Sequence, residues 1–431
     1  EIIQNENVEI AKKNSRKKFN NTLKTILYFA LPPLAVIAVF FIIFKENGIY
    51  PFGNKTIAWC DMTQQGVPYW INFKQVLEGD QSLFLNMANA AGMDGWNLLR
   101  SYFMYPLSYL FLFVDSKDVM SFVTVATVLK FALCCLTSLV FFRVCVKKLH
   151  PALAAALSMM YSFCAYGTMY YQILNWPISM YVLPLYFTGL YLLLKEHKIL
   201  LFSVTIALIM RNFAFGFMAV VATLLFVGYY FIVCEDKIAL KRNTFNFTIG
   251  SAFGAILSMP IWLSFFGAFS NSARGVDVAS SLLTSASFTS KATVYPLLMS
   301  TAVIFVAAFL FKAVKKSPIE KAIYFVFGMM LIPMVFEPIN KMWHFGSYMG
   351  FPARYAYMIV FAGLVIAGVL LSKYSFDAEN DKRIQATHIC SFAFLLCLSC
   401  ALYAYVSKYI ENNIKEMSAY ATTLWGNDKS Y

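Results

Sequence analysis

Long apolar runs separated by short charged stretches dominate the chain, and their lengths predict helices that cross a membrane. The runs fall at Thr22–Phe44, Val119–Phe142, Pro151–Tyr171, Ile173–Leu194, Leu200–Arg211, Phe213–Val233, Phe245–Phe269, Ala292–Phe311, Ala322–Phe336, Ala353–Leu371 and Thr387–Val406, eleven in all. The stretch Leu200–Val233 is short for two full spans and long for one. Lys195 and Lys198 precede it, and Lys237, Lys241 and Arg242 follow it, so both its ends are expected on one side of the membrane. A hairpin of two short helices follows, with Arg211 and Asn212 in its turn. The expected fold is therefore all-α, a polytopic helical membrane protein of about eleven transmembrane helices.

The polar positions orient these spans. One set of loops holds the clusters Lys12–Lys24, Arg143–Lys148, Lys195–Lys198, Lys237–Arg242, Lys312–Lys321 and Lys373–Arg383, while the alternate loops are longer and poorer in basic residues. The positive-inside rule then puts the N-terminus in the cytoplasm. Residues 1–21 read as a cytoplasmic tail, 22–406 as the membrane domain and 407–431 as an extracellular C-terminal segment. The chain opens at Glu1, and its first apolar run is too long and too late for a cleaved signal, so a piece of a longer protein is expected.

Composition sharpens the class. Hydrophobic residues make up 60% of the chain and charged residues 13%, against about 25% charge in soluble domains. Mean hydropathy is +0.62. The formal charge of +13 reflects the bias of the cytoplasmic loops and attraction to anionic membrane lipid, which removes nucleic acid as a partner. Of nine cysteines only Cys60 lies outside, so no outer disulfide is expected within the chain. The one CxxC spacing, Cys397 to Cys400, falls inside an expected span and is no metal pattern, and the sequence holds no Walker loop, GxSxG or HExxH.

The first outer loop, residues 45–118, is far longer than a plain connection requires. Within it Thr63–Leu77 predicts an amphipathic helix, Glu78-Gly79-Asp80 a turn, and Leu98–Val114 an apolar helix in the membrane interface, broken by Pro106. Asp61 stands just ahead of the first of these helices, between Trp59 and Tyr69. Such an acid either caps the helix or serves as a base for a group brought to the outer face.

Other polar residues are candidates with two readings each. Lys130 sits mid-span, where a charge either pairs structurally or faces a polar path. Arg354, after Pro352, either anchors the chain in an aromatic belt or clamps a phosphate, and Arg211 has the same two readings. Asp94 is a second acid or a turn residue. Glu337 binds an acceptor or caps a helix, and Asn175-Trp176-Pro177 reads as a kinked helix start. Trp59, Tyr69 and Trp70 stack on sugar or belong to an interface belt; His344 is the one outer histidine.

The segment PFGNKTIAWCDMTQQGVPYW, followed by LFLNMANAAGMDGWNLLRSYFMYPLSYLFLF, resembles the start of the YfhO-type bacterial membrane proteins, which are similar to the GT-C class of glycosyltransferases. Asp61 and Gln65 fall on that family's D-x-x-x-Q, and Gly92 and Pro106 match later pieces; Gly92-Met93-Asp94 departs from the pattern. Met210–Met218, Phe351–Met358 and Leu192–Lys198 resemble further family segments, while members of about twice this length imply a C-terminal half beyond this chain. The resemblance implies a GT-C-like enzyme of the bacterial plasma membrane, its site extracellular. It would move a sugar from a polyprenyl-phosphate donor to an extracellular cell-wall glycopolymer such as lipoteichoic acid. Asp61 would be the base of an inverting displacement, with Arg354, Lys130 and Arg211 on the donor phosphate. Gln65, Tyr69, Trp70, Asp94 and His344 would serve the acceptor or the sugar. A divalent cation, Mg or Mn, is compatible with Asp61, and a donor-synthesising enzyme and a flippase would be partners. The alternatives are a transporter or flippase of a lipid-linked saccharide, with Lys130 and Arg211 along its path, and a non-catalytic scaffold.

Overall fold

The computed structural model describes residues 2–87, 92–270, 278–290, 303–346, 348 and 351–377, with single positions beyond these. All named elements are helical. Helix α1 (Ile2–Asn47) carries Pro32 and Pro33 within it. After a loop come α2 (Val67–Glu78) and α3 (Gly95–Phe103), and then the core helices α4 (Val119–Cys145), α5 (Pro151–Ser162), α6 (Ala165–Tyr170) and α7 (Trp176–Glu196). The hairpin is α8 (Leu200–Met210) and α9 (Phe213–Val233), followed by α10 (Lys237–Leu257), α11 (Met259–Ser270) and α12 (Val278–Leu283). The last described helices are α13 (Val303–Phe311), α14 (Pro318–Leu331), α15 (Glu337–Trp343) and α16 (Ala356–Asp377).

Six described helical stretches are long and apolar enough to cross a membrane: Thr22–Asn47, Ser116–Cys145, Pro151–Tyr170, Trp176–Glu196, Phe213–Val233 and Ala356–Lys373. A seventh arises if α10 and α11, bent by 64° at their junction, form one broken span. Pro260 has no amide hydrogen to continue the ladder across that junction, and the Ser258 hydroxyl donates back to the Gly254 carbonyl at 2.8 Å. Of the eleven expected spans, α8 and α14 are too short to cross unaided, and only 303–311 of the eighth is described. The eleventh, Thr387–Val406, lies almost wholly outside the described residues.

Two local expectations change. The hairpin is unequal, because α9 is 21 residues long and spans fully while α8 has 11. The predicted interfacial helix over Leu98–Val114 is two pieces: α3 ends at Phe103, and a tight 3-10 stretch runs from Pro106 to Phe113. Proline disfavours a helical conformation in the residue before it, and Tyr105 is accordingly extended, at φ −115° and ψ 107°.

Helix α4 is the centre of the bundle and packs on α7, α1 and α5. Helix α8 joins α7 to α10, while α16 is enclosed by α13 and α14. The described residues of 48–87 and 92–118 cover one end of this bundle, the loop end, with α2 lying on α4 and α3 on α11. Lys147, Lys195, Lys315 and Lys373 sit at the other.

Candidate active site

Asp61 opens a widened helical turn, Met62–Gly66, that leads into α2. The width has a local cause. Pro68 supplies no amide hydrogen, and the Val67 amide reaches back five residues to the Met62 carbonyl. The amides of Met62, Thr63 and Gln64 are already taken by the carbonyls of Trp59 and Cys60, so Asp61 makes no capping bond. Its carboxylate accepts instead from the Gln65 amide at 3.3 Å. Burial alone raises the Asp61 pKa, with no cation acting against it. A partly desolvated carboxylate held by one amide is a better base than one in water.

The turn between α6 and α7, residues 171–175, packs beside the segment that carries Asp61. The Tyr171 hydroxyl donates to the Ile57 carbonyl at 3.3 Å, tying the Asp61 loop to this turn. Gly66 lies so close that a Cβ there would meet Leu174 Cδ1 at 2.6 Å. From the opposite side Lys130, at 0% exposure, donates to the Leu174 carbonyl at 2.8 Å. Arg211 is also buried; its guanidinium donates to the Asn175 carbonyl at 3.0 Å and to the Asn175 side-chain oxygen at 3.5 Å. Both cations lie over the ring of Tyr105, at 6.0 and 5.9 Å. Arg354 covers the ring of Trp176 at 5.2 Å. Lys130, Arg211 and Arg354 come from α4, the hairpin turn and the start of α16, and residues 174–176 bring all three together.

Among the described residues no carboxylate lies within ion-pair distance of Lys130 or Arg211. The Arg211 Nε is buried without a hydrogen-bond partner. The buried Arg211 guanidinium, with the Lys130 amine beside the same turn, makes this a place that favours an anion. Neither side chain lines an open passage, since their exposures are 0% and 2%.

The remaining candidates separate. Tyr69 is half-buried, its ring edge-on to Tyr102 at 6.3 Å. Trp70 is 1% exposed and meets Tyr102, Phe111 and Phe122 edge-on, so it is a core residue with no face open to a sugar. Asp94 caps α3, accepting from the Trp96 amide at 3.0 Å and from the Asn97 side chain, which is the turn reading. His344 turns inward, with Nδ1 and the Asn340 carbonyl 2.7 Å apart. Burial lowers its pKa to about 4, so the ring is neutral near pH 7.

His344 belongs to a network the sequence did not reveal. The Tyr348 hydroxyl donates to Glu337 at 2.7 Å, Asn340 donates to Glu337 at 3.1 Å, and the Tyr355 hydroxyl donates to Asn340 at 3.1 Å. The Glu337 carboxylate is thus held by side chains, and it makes no cap on α15. Asn175, Trp176 and Tyr105 were also missed as partners of the cations. Their one signal is an asparagine beside Trp-Pro at the start of an apolar helix, which reads equally well as a helix start.

No group of three His, Cys, Asp or Glu side chains that could hold a metal occurs among the described residues. At Asp61 a divalent cation would find that carboxylate and the Gln65 amide, fewer protein ligands than such a site commonly takes.

A family model for the bacterial membrane protein YfhO matches residues 29–425. The chain belongs to the YfhO family. That match spans the Asp61 turn, the cations and α16 together, so the site lies wholly within the family's domain. No curated protein matches the chain. As a YfhO protein with several apolar spanning helices, it is a multi-pass membrane protein.

Proposed function

We propose that the chain is a glycosyltransferase that moves a sugar from a polyprenyl-phosphate donor to an extracellular cell-wall glycopolymer such as lipoteichoic acid. The observation that carries this reading is the gathering of Lys130, Arg211 and Arg354 on residues 174–176, a turn that also packs against Gly66 of the Asp61 turn. On this reading the turn that carries the base and the anion site lean on the same piece of backbone. Membership of the YfhO family, which is linked to membrane-associated glycosylation, agrees with it.

In the proposed reaction an acceptor hydroxyl attacks the anomeric carbon of the donor sugar. Asp61 takes the hydroxyl proton as the new carbon–oxygen bond forms, and Gln65 holds the carboxylate in place. The bond from the anomeric carbon to the phosphate oxygen breaks with inversion, and its electron pair stays on the phosphate. That leaving group needs positive charge rather than a proton; the half-buried Arg354 would meet it, with the enclosed Arg211 and Lys130 acting from behind through their field.

The test is Asp61→Asn in cells and in purified protein. Loss of polymer glycosylation with donor binding retained supports the transferase, whereas normal glycosylation overturns it and favours a flippase.

A further inference from the structure

A second group of cations, lining a cavity, lies at the lysine-bearing end of the bundle, far along the chain from Asp61. A cavity of about 760 Å³ is lined by Lys315, Lys316 and Lys321, by Tyr229 and Tyr324, and by a helix face including Gly328. No acid lines it. The nearby Glu320 is already engaged, accepting from Lys373 at 2.7 Å and from the Ser317 amide at 2.8 Å. Lys316 is fixed in place: its ammonium donates to the Lys312 and Val314 carbonyls at 3.1 and 2.9 Å and sits over the Phe311 and Tyr324 rings. Lys315 and Lys321 are exposed.

The apolar wall has a direction. Phe325, Gly328 and Met329 follow Lys321 along α14 at helical spacing, so they share one face that runs from the lysines towards the middle of the bundle. From Lys321 to Met329 this face is about 12 Å long. Gly328 leaves a notch in it, because a Cβ at that position would meet nothing within 4 Å. Tyr229 of α9 stacks on Phe325 at 4.2 Å and closes one side. The result is a positively charged mouth continuous with an apolar slot, the shape of an amphiphile with an anionic head.

We infer that this cavity binds an anionic glycerophospholipid of the surrounding membrane, with the phosphate on Lys315, Lys316 and Lys321 and an acyl chain along Phe325, Gly328 and Met329. The occupant follows from charge complementarity: three lysines and no acid at the mouth attract an anionic head, and a zwitterionic head gains far less. The slot adds apolar burial that a free phosphate cannot provide. Binding would also tie α9 to α14 and the 312–317 loop, because its contacts come from all three.

Native mass spectrometry of the purified chain, titrated with phosphatidylglycerol, phosphatidylcholine or inorganic phosphate, tests this. One tightly held phosphatidylglycerol is expected, with phosphatidylcholine at least about tenfold weaker. The paired change Lys315→Glu and Lys321→Glu should remove the preference for the anionic lipid. Gly328→Leu, which fills the notch and leaves every lysine in place, should weaken phosphatidylglycerol and spare inorganic phosphate. Equal retention of the two lipids overturns the inference. So does phosphatidylglycerol binding unchanged in both variants, or inorganic phosphate displacing the lipid as well as a second lipid does.

Discussion

Gln65 donates its side-chain amide to the carboxylate of Asp61 at 3.3 Å across one helical turn, and Asp61 bonds to none of the backbone amides that follow it. The spacing D-x-x-x-Q is therefore a side-chain pair, and the carboxylate keeps an oxygen for other work. A capping aspartate would have both its geometry and its charge spent on the helix.

Replacing Asp61 by Asn should remove about 10² to 10⁴ of the transfer rate while the donor still binds. The same change should leave stability equal or higher. An acid whose pKa is raised on folding favours the folded state most when protonated, below its unfolded pKa, and that contribution is lost as pH rises through the folded pKa. At neutral pH the charged Asp61 is thus a cost that Asn removes. Thermal unfolding of the two proteins at pH 7 checks this, and a lower midpoint for Asp61→Asn would contradict it.

The pH profile should carry the same signature. Transfer should fall on the acid side with an apparent pKa above the ordinary carboxylate value, because burial raises the Asp61 pKa. Gln65→Leu removes the amide that favours the charged form, so its acid limb should move to still higher pH. A limb that stays in place would mean that Gln65 does not act on the base.

Asn175→Ala deletes one acceptor for Arg211 and leaves the guanidinium less well held. A cost of about 1–3 kcal/mol to stability is expected, together with a higher KM for the donor and a smaller change in kcat. Donor titration with the purified variant separates this from a purely structural effect, in which KM would not move.

Gly66→Val should push a side chain into Leu174, against a Cβ approach of 2.6 Å, and displace the Asp61 turn. A penalty of about 1–3 kcal/mol is expected, partly recovered in the double variant with Leu174→Ala. Additive penalties in that cycle would show that the two residues do not press on each other.

Trp70→Ala should lower the amount of folded protein rather than sugar affinity, because the ring is enclosed by Tyr102, Phe111 and Phe122. Large-to-small changes of this kind cost about 3–5 kcal/mol. Tyr69→Phe, by contrast, should leave folding intact. Yield and unfolding midpoint of the two variants decide between core and sugar platform.

The spanning helices α1, α4, α5 with α6, α7, α9 and α16 were legible in the sequence, because the transfer of an apolar run into a membrane depends only on local composition. The hairpin turn at Arg211 and Asn212 was legible for the same reason, from the lysines flanking it. The D-x-x-x-Q spacing was visible through the family resemblance alone, and that Gln65 turns to Asp61 came from the structure. The roles of Trp70 and Asp94 were not legible in the sequence. An aromatic or an acid in a loop has the same local pattern whether it faces solvent or is taken up by its neighbours. Only the tertiary structure decided that Lys130, Arg211 and Arg354, distant in sequence, converge on the backbone and side chains of Leu174, Asn175 and Trp176. Such convergence depends on how α4, α7, α8 and α16 pack, and packing is a property of several helices at once that no single stretch of chain encodes.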